Sequence, residues 1–216
     1  MNDHELARVT RYKSAEGAAR YNVLYGRSWA KRFATRQEFK VIERCFRITG
    51  PQATMLDLPS GVGRLFPAYS ANAKQFVAMD ISVEMLKVAR DNTAGRPTFA
   101  AASAIRIPLR DQSVDLIFSA RLFHHLEDLN DRYRYIRELC RVSRTWIIMT
   151  FFDTWSLKNI LRMARRPFNR KRPKVTMSTD ELRSVAAEAG WRLVDSIALS
   201  WIASGHRFAI LRRNPK

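Results

Sequence analysis

The chain has 216 residues, 46% hydrophobic and 27% charged, enough to bury a sizeable core and too apolar for a disordered polymer. Its 38 Lys and Arg against 20 Asp and Glu give a formal net charge of +18. No run approaches the ~20 apolar residues of a bilayer span. Met1 to Glu5 lack the basic and apolar regions of a signal peptide, and Cys45 and Cys140 form no CxxC pair. A cytoplasmic protein with neither a disulfide framework nor a metal site is therefore expected.

In chain order, residues 4–25 lean helical and carry Tyr12, Tyr21 and Tyr25. Over 26–49, Trp29, Phe33, Val41, Ile42, Cys45 and Phe46 fall near helical spacing, and Gly50-Pro51 stops that helix. The texture then changes. Five short apolar runs follow at 54–58, 75–81, 98–102, 114–120 and 146–152. Helical stretches are expected between most of them, at 64–73, 83–92 with Ser82 as N-cap, and 130–142. Strands apolar throughout and spaced by helices indicate a parallel sheet covered on both faces. A helix over 179–189, closed by Gly190, precedes two strands at 191–200 and 206–212. Their short link suits only an antiparallel pair. The predicted fold class is α/β: a doubly wound, Rossmann-like, seven-stranded sheet, mostly parallel, with an antiparallel terminal hairpin and a helical N-terminal extension. The expected organisation is an N-terminal lid over 1–50, a cofactor-binding core over 51–153, a basic amphipathic insertion over 154–178, and a terminal helix and hairpin over 179–216.

The chemistry concentrates at the end of the first strand. Asp57-Leu58-Pro59-Ser60-Gly61-Val62-Gly63 is an acidic strand end followed by glycines, a turn whose backbone can approach a ligand closely. The second strand ends in Asp80, 23 positions on, about where a ribose-binding carboxylate falls in such folds. The dinucleotide pattern GxGxxG is not met, because position 66 is Phe. Taken without its surroundings, Asp57 could equally serve to cap the turn's backbone.

Four blocks, MLDLPSGVGRL (55–65), FVAMDISVEMLKVAR (76–90), ASAIRIPLRDQSVDLIFSARLFHHLED (102–128) and RELCRVSRTWIIMTFFD (137–153), resemble the class I S-adenosylmethionine-dependent methyltransferases. The resemblance is greatest to the type 11 branch, which contains the ubiquinone and menaquinone biosynthesis enzymes. It implies S-adenosyl-L-methionine as cofactor. It places Asp57, Gly61 and Gly63 around the methionine part, Asp80 on the ribose, and Ile81 and Met85 against the adenine. Ser103 and Ala104 match the segment that contacts the adenine amino group, and Ser119 would underlie the reacting sulfonium. Two positions depart from the family pattern: its first glycine is Pro59, and its acidic residue is Ser103.

His124 and His125 follow the fourth strand and are candidate general bases for an oxygen acceptor. Packing of the next helix is the competing role. Arg121, on the same loop, and Tyr12, Tyr21 and Tyr25 are candidates for the acceptor pocket, with plain packing as the alternative. The net charge is uneven: +6 over 1–50, +3 over 51–150 and +9 over 151–216. Much of the last excess lies in KNILRMARRPFNRKRPK (158–174), where Arg165, Arg166, Arg170, Lys171 and Arg172 are candidate anion contacts. A basic amphipathic segment suits an anionic membrane surface, on the inner face of the membrane, and equally a phosphate-bearing acceptor. The expected activity is methyl transfer to an oxygen of a small or lipid-like acceptor, such as a quinol precursor or a phosphorylated glycolipid. An RNA methyltransferase is the alternative favoured by charge, although no (Asn/Asp)-Pro-Pro-(Tyr/Phe) sequence follows the fourth strand. A non-catalytic cofactor-binding regulatory or assembly protein is the third reading.

Overall fold

The computed structural model describes residues 29–164, 175–200 and 204–215. The apolar runs form β1 (Gln52–Asp57), β2 (Ala73–Asp80), β3 (Thr98–Ala101), β4 (Val114–Ser119) and β5 (Ser143–Phe152). The last two strands are β6 (Trp191–Ala198) and β7 (His206–Arg213). All seven lie in one sheet, in the order β3-β2-β1-β4-β5-β7-β6. β1 to β5 run parallel, and β7 runs antiparallel to both β5 and β6. This is the doubly wound sheet with a terminal hairpin expected from sequence. The chain changes direction across the sheet between β1 and β4, and ligands bind such folds outside the carboxyl ends of the strands at that point.

Among the described residues five helices cover the sheet: α1 (Trp29–Thr49), α2 (Val83–Asn92), α3 (Leu129–Val142), α4 (Leu157–Ala164) and α5 (Thr179–Glu188). Three of them start on a side-chain cap. Ser82, Asp128 and Ser178 accept the amides of Met85, Asp131 and Glu181 at 3.2, 3.0 and 3.0 Å, satisfying donors a helix start leaves open. The strands are apolar throughout because both faces are covered. Along β5, Ile147, Met149 and Phe151 join the cluster of Tyr135, Ile136 and Leu139 on α3 and Leu182 and Ala186 on α5. Trp146 and Ile148 point the other way, into the cluster of Ile42, Cys45 and Phe46 on α1 with Phe118, Phe208 and Ile210. Cys45 and Cys140 are free thiols buried in opposite clusters, and desolvation pushes each up to about 12.

The expected helix over 64–73 does not form. The stretch is a series of turns around a three-residue 3-10 helix, Phe66–Ala68. Pro67 has no N–H and disfavours the α conformation at Phe66, so the turn cannot propagate. Aromatic packing takes the helix's place: Phe66 meets Tyr69 and Phe76 edge-on, with centroids 5.6 and 5.2 Å apart. Among the described residues, no helix is long and apolar enough to cross a membrane.

Candidate functional site

The glycine turn is built from backbone up. After β1, the amide of Leu58 donates to the carbonyl of Phe118 on β4, and that of Ser60 to Met79 on β2, so the turn straddles both neighbours. Gly61 and Gly63 have φ of +54° and +71°, a region that side chains rarely adopt. A Cβ on Gly63 would sit 2.9 Å from Thr93 Cγ2, because the end of α2 packs directly on the turn. Asn92 secures the same contact by donating from Nδ2 to the Val62 carbonyl at 2.7 Å. A Cβ on Gly61 would meet nothing within 4 Å, so that face of the turn is open.

Asp80 ends β2 and is buried. Its Oδ2 accepts the Gly61 amide and its Oδ1 the Ser82 amide, both at 2.9 Å. Each oxygen keeps acceptor capacity for one further donor. Desolvation raises the Asp80 carboxyl above its ordinary value, and the amides of Ser82, Gly61 and Ile81 pull it back. Ile81 follows and is 54% exposed, a large apolar side chain beside a carboxylate. Met85 turns inward instead, buried against Val62. Ser103 makes an isolated bridge to Arg106 and Ala104 is buried, both just beyond β3.

Asp57 sits at the same rim, but the Tyr69 hydroxyl donates to its Oδ2. Burial lifts the Asp57 carboxyl to about 7; the Tyr69 hydrogen bond opposes the rise and the neighbouring Asp80 charge adds to it. Ser119 ends β4 fully buried; it donates to the Leu58 carbonyl and accepts from Tyr135 Oη at 2.6 Å. It fixes β1 to β4 beneath the rim.

On the other side of the switch point the site is made of side chains. Arg121, just past β4, has φ of +64°, and its amide donates to Thr150 Oγ1 on β5 at 2.6 Å. Its guanidinium reaches Glu38 of α1 at 2.7 Å, and Arg64 holds the other oxygen of Glu38 at 2.7 Å. The buried Glu38 thus ties α1 to the loops after both β1 and β4. His124 and His125 occupy a 3-10 helix, Phe123–His125, with ring centroids 4.0 Å apart. His124 also packs 5.2 Å from His206 and 4.8 Å from Phe152. His206, not among the sequence candidates, is brought by its antiparallel pairing with Phe152 to the carboxyl end of β5, beside the other two. Glu38 was also missed. Its signal is a single charge within the apolar spacing of α1, legible only once its partners, 26 and 83 positions away, are known. Among the described residues no group of three or more His, Cys, Asp or Glu is arranged to hold a metal ion. Tyr12, Tyr21, Tyr25, Arg165, Arg166, Arg170, Lys171 and Arg172 lie outside the described residues.

Residues 56–145 match the family model described as a methyltransferase domain. The chain is 34% identical over 107 residues to an uncharacterized methyltransferase of Schizosaccharomyces pombe, covering 48% of this chain and 42% of the relative. It is 38% identical over 98 residues to a malonyl-[acyl-carrier protein] O-methyltransferase of Methylococcus capsulatus, covering 44% and 34%. The chain therefore spans about two-fifths or less of the length of these curated relatives. In fold it is similar to the magnesium protoporphyrin IX methyltransferase of Synechocystis, crystallised with SAH: the TM-score is 0.76 at 15% identity, covering 96% of this chain and 100% of the other.

Proposed function

We propose that the chain binds S-adenosyl-L-methionine across the β1–β2 rim and transfers its methyl group to an oxygen of a small or lipid-like acceptor. The observation that carries this reading is the pairing of Asp80 with Gly61: a buried carboxylate with acceptor capacity left, beside a turn whose outer face is open. The exposed Ile81 adds an apolar wall where an adenine would lie. These residues fit the cofactor on structural grounds, and Synechocystis, S. pombe and M. capsulatus proteins named as methyltransferases are similar to the chain.

In this reading the Asp80 carboxylate accepts both ribose hydroxyls, each such charge-assisted bond being worth ~1.5–3 kcal/mol. Ile81 flanks the adenine, and the Gly61 turn lets backbone come close to the amino-acid portion. Held there, the cofactor would supply an electrophilic methyl on a sulfonium, passed in line to the acceptor with the neutral thioether as leaving group. The protein's task is then to position the acceptor and exclude water. His124 and His125, on the loop after β4, are the candidates to take the acceptor's proton, a role suited to imidazole near neutral pH. The relative named as an O-methyltransferase favours oxygen as the site of methylation. Arg121, held by Glu38 at 2.7 Å, lines the same side and is placed to orient an acceptor carrying negative charge.

The test is label transfer. Purified protein and methyl-labelled S-adenosylmethionine are added to a cell lysate, which is separated into lipid, RNA, protein and small-molecule fractions. Label in the lipid or small-molecule fraction is the expected result. Label confined to RNA would replace the acceptor class, and absence of label in every fraction, despite cofactor binding, would favour a non-catalytic cofactor-binding protein.

A further inference from the structure

Surface helices usually turn their apolar stripe inward. α4 does the reverse. Leu157, Ile160 and Leu161, at i, i+3 and i+4, share one face, and Asn159 lies on the opposite one. It is Asn159 that is buried, and the apolar residues that are exposed. Trp155, Leu157, Ile160, Leu161 and Met163 are between 44% and 69% exposed. Half of the large apolar side chains exposed among the described residues fall within these nine positions. Scattered exposed apolar residues are ordinary, whereas a contiguous set marks an interaction surface.

The orientation is fixed by covalent geometry and hydrogen bonds. Asn159 Nδ2 donates to the Asp153 carbonyl at 2.6 Å, and Ser156 Oγ donates to the same carbonyl at 2.9 Å. Gly205, just ahead of β7, comes so close that an added Cβ would lie 2.8 Å from Ser156 Oγ and 2.9 Å from Asn159 Nδ2. Asp153 also bridges Met177, so α4 starts from the carboxyl end of β5, the same edge of the sheet at which the parallel strands β1 and β2 end. The polar anchor faces the protein, and the apolar face has nowhere to turn but outward.

Charge names the occupant. Lys158 lies beside the stripe and is exposed, and the sequence that continues from α4 holds Arg165, Arg166, Arg170, Lys171, Arg172 and Lys174 with no acid before Asp180. We infer that α4 and Trp155 form an interfacial anchor that docks the protein on a bilayer carrying anionic headgroups. The apolar stripe enters the acyl boundary, and the basic character of the adjoining sequence selects anionic headgroups. The docking deepens the reading of a lipid-like acceptor, because it brings the cleft rim to the membrane, yet it can be tested apart from methyl transfer.

The experiment is co-sedimentation of the full-length protein with vesicles of phosphatidylcholine alone or mixed with phosphatidylglycerol. Binding to the mixed vesicles, weakened by salt, is expected for the wild type. The triple variant Leu157→Ser, Ile160→Ser, Leu161→Ser keeps every basic residue and should lose partitioning about ten-fold or more. Its melting temperature, measured alongside, should not fall, because the replaced side chains are exposed. Failure of the wild type to bind mixed vesicles overturns the inference, as does unchanged binding of the triple variant, which would reduce the contact to charge alone. A wild-type dimer that the triple variant turns monomeric, with no vesicle binding, would assign the stripe to a second copy instead. Cofactor titration without vesicles separates the two proposals: vesicle binding without cofactor binding sinks the methyltransferase reading and leaves the anchor standing.

Discussion

The two halves of the candidate site are held by different means. The β1–β2 half is fixed by backbone: Asp80 accepts two amides of the adjoining turns, and Gly63 admits the end of α2 where any Cβ would collide. The β4–β7 half is fixed by side chains from distant segments: Glu38 with Arg64 and Arg121, and His124 with His125, Phe152 and His206. A half that receives an invariant cofactor can be shaped by main chain, which varies little with side-chain identity. A half that receives a particular acceptor must be shaped by the side chains themselves. Disturbing one half should therefore leave the other intact.

The largest effect is expected from the acceptor half. Replacing both His124 and His125 by Ala should reduce label transfer on the order of 100-fold, the typical contribution of general base catalysis, with cofactor affinity unchanged. Full transfer by the double variant removes the imidazoles as bases; a parallel loss of cofactor affinity breaks the division between halves.

Next comes the buried ion triad. Glu38→Gln leaves Arg64 and Arg121 facing each other without their shared carboxylate. Loss of a buried partner costs roughly 3–5 kcal/mol, and the partial exposure of Arg121 moves the expectation to the lower end, about 3 kcal/mol. Urea denaturation would measure it. A variant as stable as the wild type would mean that the triad does not hold α1 on the core.

Per pH unit, the smallest effect belongs to Asp57. Its folded carboxyl stands at about 7, above the ~3.9 of an unfolded aspartate. The folded chain holds this proton more tightly, so the stabilisation is complete below the unfolded value and is lost as pH rises toward 7. Asp80, raised in the same direction, adds a contribution of the same sign. Asp57→Asn should flatten the fall in stability across this window by at most about 1.4 kcal/mol per pH unit. Denaturation curves between pH 4 and 8 test this, and an unchanged slope would show that the proton is not held on Asp57.

The same division explains what could be read from sequence. The strands were legible because burial on both faces leaves them apolar throughout, as in β4 and β5. Asp80 and the glycines were legible because backbone-built sites constrain residue type and spacing locally. The helix expected after the glycine turn was misread, since Pro67 and the inward packing of Phe66 and Tyr69 decide that stretch and helical periodicity does not. Glu38 and His206 were illegible for the opposite reason: each acquires its partners only when distant segments meet. In α4 the periodicity was visible, but the direction of its apolar face depends on Asn159 and on the close approach of Gly205.

The central claim is that Asp80 holds the cofactor. Calorimetric titration of S-adenosylmethionine into the wild type and Asp80→Ala addresses it most directly. The account predicts binding by the wild type and a loss of ten-fold or more in the variant. Equal affinity of the two proteins would contradict it.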